Sequence, residues 1–220
     1  MTQRIKLLNI FRDALKALAA LVSGPTRYFQ EQNEEALLRN ALFAIAPLAA
    51  AAGLLIFLAD ALSPAASKEA VQALLQRYGV ENPPENAAGS SGLRALFFPL
   101  YWAGFVALAG ACCLGMARLL DDRDANFRIS ALIAAHAALP LMASGLVFGV
   151  LNAVFPPFLN PAIVGVVRLV INSLTVFGAW FWSTRIAMSG FQLHFKQNAG
   201  RAALTWLAPW FLIVVIAVLF

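Results

Sequence analysis

The sequence predicts an all-α, polytopic membrane helix bundle: five transmembrane helices preceded by an N-terminal amphipathic helix at the interface. Three observations predict it. First, the 220 residues are 61% hydrophobic and only 12% charged, where soluble domains carry about 25% charged residues. A chain with half the usual charge lacks the polar coat that a water-facing surface needs, so its apolar excess must face lipid. Second, five apolar runs reach the length of about 20 residues that a helix needs to cross the hydrocarbon. Third, the basic residues gather in alternate connections, as orientation in a membrane requires.

The spans are expected at about 41–62, 95–120, 129–155, 161–188 and 202–220. Each is expected to be helical, because lipid offers the backbone no hydrogen-bond partner. Pro47, Pro99, Pro140 and Pro209 fall inside these runs, and each removes a backbone donor, so kinks are expected. Residues 63–94 form the longest connection, an outer loop. Pro83-Pro84 and Gly89-Ser90-Ser91-Gly92 mark its second half as turn or coil. The chain thus divides into a cytoplasmic N-terminal segment, 1–40, and a membrane domain, 41–220.

Orientation follows from Lys and Arg. Arg4, Lys6, Arg12, Lys16, Arg27, Arg39, Arg118, Arg123, Arg128, Arg185, Lys196 and Arg201 flank one side, and Lys68, Arg77 and Arg94 the other. Positive charge stays inside, which places the N-terminus in the cytoplasm and, with five spans, the C-terminus outside. The expected location is a cell membrane, the bacterial inner membrane in the first instance. The net charge of +5 is explained by this asymmetry. No basic run with interleaved aromatics points to nucleic acid.

Before the first span, Ile5, Leu8, Leu15, Leu18 and Val22 recur at helical spacing among Arg4, Arg12, Asp13 and Lys16. Charges interrupt the apolar core that a signal peptide needs. The pattern reads as a basic amphipathic helix on the cytoplasmic face, or as a helix packed on the protein's own loops.

The fourth span carries Arg168, Asn172, Thr175, Ala179 and Ser183 on one stripe. A charge at the centre of a span costs about 2.5–3.5 kcal/mol on insertion scales. Arg168 lies toward the outer end, where its long side chain can snorkel. It can also pair with Asp60 at the end of the first span, supported by Asn152 and Asn172. His136, in the third span, completes the candidate polar set. Its simpler role is an interhelical hydrogen bond. Small residues mark close packing: Ala103, Ala107, Ala111 and Gly115 in the second span, Gly145, Gly149 and Ala153 in the third. Such stripes suit a compact bundle and self-association.

Chemistry-bearing motifs are absent from the sequence. It has no phosphate loop, HExxH, paired catalytic carboxylates or metal-spaced Cys/His set, so neither an enzyme nor a cofactor is expected. Cys112 and Cys113 are adjacent in an apolar run and read as packing residues. Asp121, Asp122 and Asp124 read as a solvated turn, with a Mg²⁺/diphosphate site as the alternative.

The segment Ser23-Gly24-Pro25-Thr26-Arg27-Tyr28-Phe29, the run from Phe127 to Pro140 (FRISALIAAHAALP) and the exit of the fourth span from Arg185 to Phe195 resemble the Yip1 family, specifically its small prokaryotic members. The resemblance covers roughly Leu21 to the C-terminus. It implies a non-enzymatic polytopic protein that organises membrane partners or lipids, and no catalytic residues. The Asp-Leu-Tyr-Gly-Pro segment of the eukaryotic branch is missing, so binding of Rab GTPases is not implied. The expected partners are the lipid bilayer, other membrane proteins and further copies of the chain. The alternative is a small transporter or channel, alone or as an oligomer, that uses the polar fourth helix.

Overall fold

The computed structural model describes residues 12–13, 16–61, 91–154 and 161–219, and these are all-α. A helical stretch over 16–23 leads into α1 (Pro25–Glu31), α2 (Glu34–Ala61), α3 (Ser91–Leu119), α4 (Phe127–Val154), α5 (Pro161–His194) and α6 (Ala199–Leu219). Among the described residues, three stretches are long and apolar enough to cross a membrane by length and composition: Glu34–Leu55 in α2, Pro99–Leu119 in α3 and Phe127–Val147 in α4.

The helices overrun the apolar stretches because polar residues outside the hydrocarbon start them. Asn33, Asn126 and Asn198 precede α2, α4 and α6, and each side-chain oxygen accepts from the backbone N–H three residues on, at 2.9, 2.8 and 2.9 Å. Each cap satisfies one of the orphan donors of a helix start. Pro25 begins α1, where its missing N–H costs nothing. Pro47, Pro99, Pro140 and Pro209 all lie within continuous helices.

At the end of α3 the N–H of Asp122 donates to Ala117 O at 3.1 Å, and that of Asp121 to Arg118 O at 3.0 Å. With Asp121 at φ 69°, this is a Schellman stop. Aspartate tolerates the left-handed conformation better than most side chains. The next carboxylate, Asp122, accepts from the Gln197 side-chain amide, whose oxygen in turn accepts from Thr205 at 3.1 Å. The acidic turn therefore ties the α3–α4 connection to the α5–α6 connection.

Helix α4 is the hub. It packs on α2, α3 and α5, while α6 packs on α3 and α5. Most of its membrane-length stretch is buried, whereas only a minority of the corresponding stretches of α2 and α3 is. Ile133, Ala134, Ala137 and Ala138 are almost wholly covered. The small side chains of α4 admit its neighbours closely. A Cβ at Gly110 of α3 would stand 2.7 Å from Ala131 Cα, and one at Gly190 of α5 would stand 2.8 Å from Ile133 Cγ1. These two glycine notches grip α4 from two sides. Ser130 adds a hydrogen bond to the Gly110 carbonyl at 2.8 Å.

The small-residue stripe expected to pack α3 lies elsewhere. Ala103, Ala107, Ala111 and Gly115 are exposed, and among the described residues a Cβ built at Gly115 or at Gly145 meets nothing within 4 Å beyond its own stretch of helix. The buried stripe is Ala109, Cys113 and Ala117. It is offset by two residues, about 200° around a helix of 3.6 residues per turn, and so occupies the opposite face. Cys113 is buried in it, and both cysteines are free thiols. The packing environments of Gly149 and Ala153 lie outside the described residues.

The described part of the N-terminal helix follows the expected face at Leu18 and departs from it at Val22. Leu21 is buried in the core with Leu18 packed against it, whereas Val22 points outward. Ile5, Leu8 and Leu15 lie outside the described residues.

Candidate functional site

The most elaborated polar arrangement lies at the end of the bundle from which α2, α4 and α6 start. Helix α1 docks there on α5. Its buried residues, Pro25, Tyr28 and Phe29, fall at i, i+3 and i+4, which is one helical face. The outward Arg27 pairs instead with Glu31 at 2.6 Å.

Tyr28 Oη lies 3.0 Å from His136 Nε2 on α4, Asn40 Nδ2 of α2 lies 3.2 Å from the same Oη, and His136 Nδ1 lies 2.8 Å from Leu132 O. The chain has one direction. A carbonyl only accepts, so Nδ1 carries the ring proton, and Nε2 of that tautomer is an acceptor. Tyr28 therefore donates to Nε2, and its oxygen accepts from Asn40. Three helices are joined with every member partnered, the condition under which a buried polar network stabilises.

Around this chain, Phe29 meets Tyr28, His136 and His194 edge-on, at centroid distances of 5.5, 5.7 and 6.0 Å, a favoured aromatic geometry. Thr26 Oγ1 donates to Ser189 Oγ at 3.1 Å. Burial pushes the Tyr28 phenol up from its ordinary value, against the Asn40 hydrogen bond and the charge of Arg39. Burial also pushes His194 down, opposed by the charge of Glu34.

The His194 shift sets a pH dependence. A base held below its unfolded value near 6.5 contributes stability that is fully present above that pH. This contribution is lost as pH falls toward the depressed folded value, because the unfolded state takes up more protons. Thermal unfolding between pH 7.5 and 5 is expected to show a smaller acid loss in His194→Gln than in the parent chain.

Of the polar residues proposed from sequence, His136 takes part in this arrangement. His136 contacts Phe29, which contacts His194. Asn172 lies 22 residues before His194 on α5, about 33 Å of helix rise. The structure thus places His136 and Asn172 at different depths. Asn172 Oδ1 and Ser183 Oγ are buried without a hydrogen-bond partner among the described residues, while Thr175 bonds back to Ile171 O at 2.8 Å. The side chains of Asp60, Asn152 and Arg168 lie outside the described residues. Ser144, near His136 in sequence, bonds to Leu141 O at 2.7 Å. No group of three or more His, Cys, Asp or Glu among the described residues is placed to hold a metal.

Sequence reasoning gave Tyr28 no role beyond the family segment and passed over Asn40. The available signal was an intramembrane histidine that needs a partner, together with a tyrosine and an asparagine just before an apolar run.

Long apolar helices arranged around a buried central one define a multi-pass membrane protein. The model of the Yip1 domain matches residues 19–220, from the approach to α1 to the last residue. The chain belongs to the Yip1 family. No curated protein and no solved structure matches it.

Proposed function

We propose that the chain is a five-span, non-enzymatic membrane organiser of Yip1 type. In this reading residues 1–40 form the cytoplasmic N-terminal segment, partly an amphipathic interfacial helix, and 41–220 the membrane domain. Helices α5 and α6 supply the fourth and fifth spans, and the C-terminus lies outside. The observation that carries the reading is the Tyr28–His136–Asn40 chain. The polar groups at the hub satisfy one another and anchor α1, rather than presenting reactive or solute-binding groups. Family membership supports it, since Yip1-domain proteins are generally non-enzymatic membrane trafficking proteins.

The second reading, a small transporter or channel, rests on the unpartnered Asn172 Oδ1 and Ser183 Oγ. Buried polar atoms without partners are costly. In this reading Arg168 of α5 pairs with Asp60, and Asn152 and Asn172 support the pair.

Purification in native lipid followed by mass spectrometry, with solute flux measured in vesicles, separates the two. The organiser reading expects a defined lipid or protein to co-purify and no flux. Flux by a chain that retains nothing would overturn it. So would loss of flux in an Arg168→Ala variant that still inserts.

A further inference from the structure

The outward face of α2 carries an order of chemistry that a lipid can read. Glu35, Leu38, Arg39, Leu42, Phe43 and Pro47 line an open groove of about 680 Å³. They follow one another at i, i+3, i+4, i+7, i+8 and i+12, a single helical face, and all are exposed. The opposite face, with Leu37, Ala41 and Ala44, is buried in the bundle. Along the groove, from the helix start into the apolar run, come a carboxylate, then a guanidinium one turn on at about 6 Å of rise, then apolar side chains for about 12 Å more.

Glu35 and Arg39 stand at the spacing that favours a helical ion pair. Among the described residues, however, neither is in an ion pair, while the adjacent Glu34 pairs with Arg128 at 3.3 Å. Both charges are therefore available to a third party.

We propose that this face binds a phospholipid with a primary-amine headgroup, of the ethanolamine type. Such a lipid presents the complementary charges in the same order. Its ammonium is outermost, its phosphate lies a few ångströms deeper across a two-carbon bridge, and acyl chains follow. The ammonium donates to Glu35, the phosphate takes charge-assisted hydrogen bonds from Arg39, and an acyl chain lies on Leu42, Phe43 and Pro47. A choline headgroup has no N–H to donate. A glycerol headgroup has no positive charge for Glu35. The match does not depend on which side of the membrane holds the N-terminus, because the helix start faces water in either case. The inference rests on the membrane-organiser reading and names a lipid for it.

The test uses the full chain in nanodiscs of equal parts ethanolamine, choline and glycerol phospholipids, with retained lipid read by native mass spectrometry. The expected result is ethanolamine lipid enriched on the order of tenfold over either competitor, the scale of one charge-assisted hydrogen bond. Glu35→Gln is expected to abolish that preference, and Arg39→Gln to reduce retention of all three. Both residues are exposed, so an unchanged unfolding midpoint verifies that the variants fold. Retained lipid with the bulk composition, an undiminished preference in Glu35→Gln, or a second copy cross-linked across this face would overturn the proposal. Solute flux in vesicles tells the two failures apart. Flux sinks the organiser reading itself, and a chain that shows neither flux nor enrichment sinks the lipid site alone.

Discussion

Alanine in place of Gly110 is expected to destabilise the bundle by roughly 1–3 kcal/mol, the usual cost of overpacking a filled site. The sign is decided by what the new methyl meets. Within a helix, alanine is favoured over glycine by about 1 kcal/mol, and at a site with open space that gain would stand alone. At Gly110 the Cβ would be 2.7 Å from Ala131 Cα, a backbone atom of α4. A backbone atom cannot turn aside, so α3 and α4 must separate. That separation loosens the Ser130 bond to the Gly110 carbonyl. Gly104 and Gly115, with nothing within 4 Å, are the controls. Alanine there is expected to be neutral or stabilising by up to about 1 kcal/mol. Unfolding midpoints in a detergent titration read all three, and leucine at Gly110 is expected to exceed the alanine effect.

Tyr28→Phe is expected to cost about 1–3 kcal/mol, the penalty for leaving buried polar groups unpaired. The ring and its contacts with Phe29 remain. The hydroxyl is lost, which strips His136 Nε2 of its donor and Asn40 of its acceptor. The chain acts as a unit, so a cycle combining Tyr28→Phe with His136→Phe is expected to show a coupling of roughly 0.5–3 kcal/mol. Amide exchange of α1 is expected to rise with it, since α1 is held by this face. Simple additivity, with α1 exchange unchanged, would show that Tyr28 contributes shape and not a bond.

Hydropathy made the positions of the long helices legible, because a lipid-facing helix must be apolar along its length. The helices of the structure begin or end within about seven residues of the apolar runs, displaced by caps such as Asn33 and Asn126. Family membership was legible too, since the resemblance noted in the Pro25–Phe29 and Phe127–Pro140 segments lies within the matched range.

Which face of a helix meets protein was not legible. Between helices in lipid there is no hydrophobic contrast, so period-four runs on opposite faces of α3 look alike. One holds Ala103, Ala107, Ala111 and Gly115; the other holds Ala109, Cys113 and Ala117. Only the close approach of Ala131 singles out Gly110. Nor could one sequence say that His136 turns to Tyr28, 108 residues earlier in the chain.

The central claim, five crossings from a cytoplasmic N-terminus, is tested most directly by reporter fusions that respond to the side of the membrane. Fusions at Asn33, Asp124 and Gln197 are expected to report the cytoplasm, and fusions at Tyr78, Phe158 and Phe220 the outside. A fusion at Phe220 that reports the cytoplasm would require an even number of crossings and contradict the account.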